Sequence, residues 1–148
     1  MRPRTVRLAA VVLGLLAMGL LGATAYAKAT SGPGRIELSA SNFDFGAIPN
    51  TEPVSHEFQV RNVGRGPLKI TGVSTSCGCT TAEVQSRHLG RGESTTLRVT
   101  FDPEAHDGAP GEYLRMVYVR SSDPATPEAS LTIRVTVVAP EAAAGTKE

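Results

Sequence analysis

Val54-Ser55-His56-Glu57-Phe58-Gln59-Val60-Arg61 alternates with period two: Val54, His56, Phe58 and Val60 share one face, and Ser55, Glu57, Gln59 and Arg61 the other. This is the pattern of a strand with one face on a core and one in water. The run ends in Asn62-Val63-Gly64-Arg65-Gly66-Pro67, a turn-forming cluster, and restarts at Leu68-Lys69-Ile70. The same grammar extends both ways. Upstream, Ile36 and Leu38 alternate, and Phe43, Phe45 and Ile48 follow. Downstream, Leu97, Val99 and Phe101 share a face after the turn Gly90-Arg91-Gly92-Glu93, and Asp102-Pro103 stops them. Leu131, Ile133, Val135 and Val137 form a last run after Ser122-Asp123-Pro124-Ala125-Thr126-Pro127, and residues 80–84 suggest one more short strand.

No stretch after residue 34 sustains a helical period. About seven short strands with turn signals between them predict an all-β domain, an immunoglobulin-like Greek-key β-sandwich, over residues 35–139. Residues 113–120 are unusual in being apolar on both faces, with Tyr113, Val117 and Val119 on one and Leu114, Met116 and Tyr118 on the other. One face has to enter the core. The other is either covered by a neighbouring part of the chain or is an apolar patch that docks a partner.

Residues 1–27 carry three arginines before position 8, then no charge, and end in Ala25-Tyr26-Ala27. A basic start, an apolar middle and a small-x-small site read as a secretory signal peptide cut after Ala27. The competing reading is an uncleaved membrane anchor, since about 20 apolar residues can span a bilayer. The leader has no cysteine for a lipoprotein anchor and no adjacent arginine pair for a twin-arginine signal. Residues 28–34 read as a linker and residues 140–148 as a frayed tail. Without residues 1–27 the chain keeps 12 of its 15 basic residues and all 14 acidic ones, a formal charge of −2. That balance gives no electrostatic footprint for nucleic acid or anionic lipid.

Phe45-Gly46, Asn62-x-Gly64-x-x-Pro67-Leu68-x-Ile70, Ser76-Cys77-Gly78-Cys79-Thr80, Gly92-Glu93-Ser94, Phe101-Asp102-Pro103 and Ser122-Asp123-Pro124 follow one another in this order. In this the chain resembles a large family of exported bacterial immunoglobulin-like domains of unknown function, similar in build to hydin-type and major-sperm-protein domains. The resemblance covers residues 43–137, and Ser76-Cys77-Gly78-Cys79-Thr80 is its most specific part. The chain departs from it at Ser122, where asparagine is usual, which touches only a turn. The resemblance implies a fold and an envelope address, and no activity.

Cys77 and Cys79 are the only two cysteines. A closed loop of about three residues stabilises a fold by only roughly 1.6 kcal/mol in the chain-entropy model, against about 4.7 for a 100-residue loop. Extended chain would set their Cα atoms about 6.6 Å apart, near the long limit for a disulfide, unless Gly78 kinks the backbone. Four readings stay open: a local disulfide, a metal site, redox or partner-linking thiols, and inert thiols. Thiolate chemistry wants a nearby cation, and no Lys, Arg or His lies within five residues of the pair. The pair is also not the Cys-x-x-Cys of thioredoxin-type enzymes. The spacing of His56, His88 and His106 fits no zinc pattern. Copper(I) tolerates two thiolates, with His88 as a helper.

His56, on the apolar face of its strand, reads as a half-buried structural histidine. Asp102, Glu104 and Asp107 share a loop, but their spacing fails the calcium-loop pattern. No nucleophile elbow, metalloprotease helix or phosphate loop occurs, and an enzyme is not expected. We therefore expect an exported domain, periplasmic, extracellular or membrane-anchored, acting as a non-catalytic interaction or structural module. Its partner would be an envelope protein meeting Leu114, Met116 and Tyr118. The alternative is a thiol redox or copper(I)-handling protein using Cys77 and Cys79. No other cofactor is implied.

Overall fold

The computed structural model describes residues 32–139, apart from the side chain of His106. The leader at 1–27, the linker up to residue 31 and the tail at 140–148 lie outside the described residues. Two sheets face each other. One has the order β1 (Ile36–Leu38), β3 (Val54–Asn62), β7 (Ser94–Phe101), β5 (Thr80–Val84), and its pairs are all antiparallel. The other has the order β2 (Asn42–Pro49), β9 (Glu128–Val138), β8 (Gly111–Ser121), β4 (Leu68–Thr75), β6 (His88–Leu89). In it β2 runs parallel to β9, and the remaining pairs are antiparallel.

The immunoglobulin-like sandwich is thus present, with nine strands among the described residues rather than about seven. The strand that no alternation announced is β6, two residues long, whereas β1, three residues long, is the short alternation of Ile36 and Leu38. The inward residues of the alternating runs make one core. Phe58 and Val60 from β3, Leu97, Val99 and Phe101 from β7, Val117 and Val119 from β8 and Leu131, Ile133 and Val135 from β9 are all buried there. His56 joins its margin, stacked on Phe43 at 3.9 Å between ring centroids and edge-on to Phe58.

The chain crosses between sheets at two poles. At one, Asn62 is fully buried at the end of β3. Its Nδ2 donates to the carbonyls of Gly66, Leu89 and Gly90 at 2.8–3.1 Å, and its Oδ1 accepts from the Arg35 and Gly64 amides at 3.1 and 3.0 Å. A β-carbon at Gly64 would come within 2.4 Å of the Pro33 oxygen and the Arg35 nitrogen, so only glycine fits that approach. Pro33 and Gly34, read above as linker, already belong to the domain. The Pro33 carbonyl accepts from the Arg65 and Gly66 amides, and Gly34 is buried.

Asp123 stands at the same pole, 2 % exposed, accepting from the Ile36 amide through one oxygen and from the Ala125 amide through the other. Burial pushes its carboxyl pKa up. The amides of Ala125, Ile36 and Thr126 and the Arg35 guanidinium outweigh that and hold it below the ordinary carboxylate value. Ser122, the departure from the resembled pattern, keeps the turn closed: its Oγ accepts from the Lys69 amide and its own amide donates to the Lys69 carbonyl.

Candidate functional site

The opposite pole is the crossing from β4 to β5, residues 76–79. Its ends are held by polar contacts. Thr75 Oγ1 lies 2.9 Å from the Cys77 carbonyl and 2.8 Å from the Thr80 carbonyl, sharing its proton between them. The Ser76 amide donates to the Met116 carbonyl, the Met116 amide donates to Ser76 Oγ, and the Asp102 amide donates to the Cys79 carbonyl. Within that frame Cys77 and Cys79 are joined by a disulfide with Cα atoms 5.4 Å apart, shorter than the extended span of about 6.6 Å. The shortening does not use a left-handed glycine, because Gly78 is not among the residues with positive φ.

The two sulfurs sit in different surroundings. Cys79 is 2 % exposed and belongs to the core, whereas Cys77 is half-buried and Gly78 between them is exposed. Thr80 Oγ1 lies 3.5 Å from Cys77 Sγ and 3.7 Å from Cys79 Sγ. The cation missing from the neighbouring sequence arrives from β8: Arg115 Nε donates to Cys79 Sγ at 3.2 Å. Its guanidinium is positioned by a 2.8 Å bond from Nη1 to the Leu114 carbonyl and lies over the Tyr113 ring, 5.1 Å from the centroid. Arg115 carried a detectable signal. It falls between Tyr113 and Val117 on the core-facing side of its strand, where a charge calls for a partner.

His88 is not brought to the pair. It opposes Lys69 near the start of β4, while Cys77 follows the far end of that strand, about 26 Å of extended chain away. The copper(I) expectation loses its helper. Among the described residues no group of three or more His, Cys, Asp or Glu is arranged to hold a metal ion. In the loop considered for calcium, the Asp102 carboxylate caps a single 3-10 turn by accepting from the Glu104 amide.

The second candidate surface is the outer face of the five-stranded sheet. Leu114 and Met116 are 53 % and 36 % exposed at its centre, and Tyr118 is half-buried beside them, its hydroxyl donating to Met116 Sδ at 3.3 Å. The register sets Thr132 and Ser130 of β9 and Ser74 of β4 opposite this row. Ion pairs close its two ends, Arg134 with Glu112 and Arg120 with Glu128. An open depression beside the row is lined by Asn42, Phe43, Asp44, Leu114, Thr132 and Arg134.

Residues 36–137 match a family described as "Protein of unknown function (DUF1573)". The chain belongs to the DUF1573 family. No curated protein matches it. Among solved structures, this DUF1573 domain is similar to a protein of unknown function from Porphyromonas gingivalis W83, with 27 % identity and a TM-score of 0.64. That match covers 70 % of this chain and only 46 % of the other, so the chain spans about half the length of that relative. It is also similar to the ASH / PapD-like domain of human CEP192, at 13 % identity and a TM-score of 0.59, covering 74 % of this chain and 90 % of that one. A match to the Vibrio cholerae VesB protease covers 69 % of this chain and 31 % of the protease, at 20 % identity and a TM-score of 0.52. The last two likenesses are of fold alone.

Proposed function

We propose that the domain is a non-catalytic interaction module of the cell envelope that docks an exported protein on the outer face of its five-stranded sheet. The observation that carries this is the row Leu114, Met116 and Tyr118, two of them exposed and all on β8, which pairs with β9 over residues 111–120 and with β4 from Val117 onward. Apolar and aromatic side chains at the centre with a hydroxyl-bearing margin make the usual composition of a protein contact. The charges at either end neutralise each other within the sheet, so the fitting partner offers an uncharged face with an apolar middle and hydrogen-bonding edges. The leader at 1–27 supports the envelope address.

A photoreactive residue placed at 114 or 116 should give one discrete adduct in the native compartment. The same residue at Gln59, on the outer face of the other sheet, should give none. Tyr118→Asp should remove the adduct without changing Tm. Equal labelling from position 59, no adduct at all, or unfolding by Leu114→Asp would each overturn the proposal, the last because it would make this face part of the core.

A further inference from the structure

We propose that the Cys77–Cys79 disulfide is a thiol–disulfide exchange centre that oxidises a dithiol of an exported partner, with Cys77 as the sulfur attacked and Cys79 as the sulfur that leaves. This goes beyond the docking role, does not depend on it, and gives the cysteine pole a stoichiometric redox reaction that the non-catalytic docking face does not have.

Four observations converge. A three-residue loop is too short to restrain the unfolded chain much, so the bond is poorly explained as a staple. The sulfurs are unequal: Cys77 is half-buried and reachable, and Cys79 is in the core with Arg115 Nε 3.2 Å away. An arginine held on a sulfur gains little while that sulfur is bonded and neutral, and much once it is a thiolate. Thr80 Oγ1 stands near both sulfurs and can donate to whichever one carries charge. Finally, a β-carbon at Gly78 would meet nothing within 4 Å beyond its two chain neighbours, and its φ is not left-handed, so neither packing against the rest of the domain nor backbone conformation demands glycine there. What glycine leaves is an open approach to the bridge.

The chemistry balances with the partner dithiol as the only co-reactant. A partner thiolate attacks Cys77 Sγ. A bond forms between those two sulfurs as the Cys77–Cys79 bond breaks, and the electron pair passes to Cys79 Sγ, where the Arg115 Nε–H stabilises it. The partner's second thiol loses its proton to water and attacks its own sulfur in the mixed disulfide, releasing Cys77. The partner departs with a disulfide, oxidised by two electrons, and the cysteine pair is reduced by two. A leaving thiol of lower pKa leaves faster, which is the part Arg115 plays.

The test uses the full chain with reduced glutathione and dithiothreitol as the probe thiols. The readouts are mass after quenching with an alkylating agent, and the pH profile of alkylation of the reduced protein. The expected midpoint for Cys79 lies below the ordinary thiol value of about 8.5. Arg115→Gln should raise that midpoint by about one unit and slow opening of the bridge severalfold, with Arg115→Lys restoring most of both. Glutathione disulfide should couple to Cys77 in Cys79→Ser faster than it couples to Cys79 in Cys77→Ser, releasing one reduced glutathione each time, and equal rates would overturn the assignment of Cys77 as the attacked sulfur. Gly78→Val should slow opening with no change in the midpoint, and it carries the access argument even if Arg115→Gln does not fold. A midpoint near 8.5 that ignores Arg115, a bridge that opens only when the domain unfolds, or opening as fast in Gly78→Val as in the wild type would each overturn the assignment.

Discussion

At the Asn62 pole one side chain makes five hydrogen bonds to backbone groups from three segments, and the aspartate beside it binds two more amides. At the cysteine pole the conspicuous link is a covalent bond, yet it joins residues two apart and ties together nothing that was not already adjacent. The pole without a covalent link is therefore the one that locks the fold. Stability follows the number of distant segments an interaction holds and the burial of its polar atoms, rather than the strength of the bond in isolation. The bond at the covalent pole closes a loop of only three residues and restrains little of the fold.

The contrast breaks if the two poles turn out equally costly to dismantle. The largest effect should come from Asn62→Ala, which strands three carbonyls and two amides in a buried site. We expect a loss of about 4 kcal/mol in urea unfolding, enough to leave the domain marginal. Cys77→Ser/Cys79→Ser should cost about 1.6 kcal/mol or less by the same measurement. A double-serine variant that loses more than Asn62→Ala would reverse the assignment of the poles.

The smallest effect sharpens the comparison through pH. The folded-state pKa of Asp123 is lowered, so its contribution is present above the ordinary carboxylate value of 3.8 and is lost as pH falls through the lower folded value. Stability of the wild type should drop over that acid range. Asp123→Asn should lack that component while being weaker at neutral pH, because an amide cannot accept from both the Ile36 and Ala125 amides. Parallel acid profiles for the two proteins would remove Asp123 from the locked pole.

The sandwich and its core were readable because β3, β7 and β9 bury alternate residues over long runs, and period two survives in sequence. What stayed hidden depends on long-range placement. The five bonds of Asn62 reach residues up to 28 positions away, and the turn in which it sits shows only that glycine and proline bend the chain. Arg115 reaches Cys79 across 36 positions through pairing of β8 with β4 and the crossing loop, so a search limited to near neighbours finds the cysteines without a cation. His88 was misleading for the converse reason: it is close in sequence and far along β4. The row Leu114, Met116, Tyr118 was legible as a face because alternation assigns faces.

The first and last strands of the described sandwich also decide how it meets a mechanical load. The chain comes in at the Asn62 pole through Arg35 and β1, and β9 delivers it at Val138, near Gly111, toward the cysteine pole. Tension between those two points runs along the strands and across their hydrogen bonds. It slides β1 along β3 over three residue pairs only, and β9 along both β2 and β8, whose longer ladders share the force in shear where a peeling geometry would break their bonds singly.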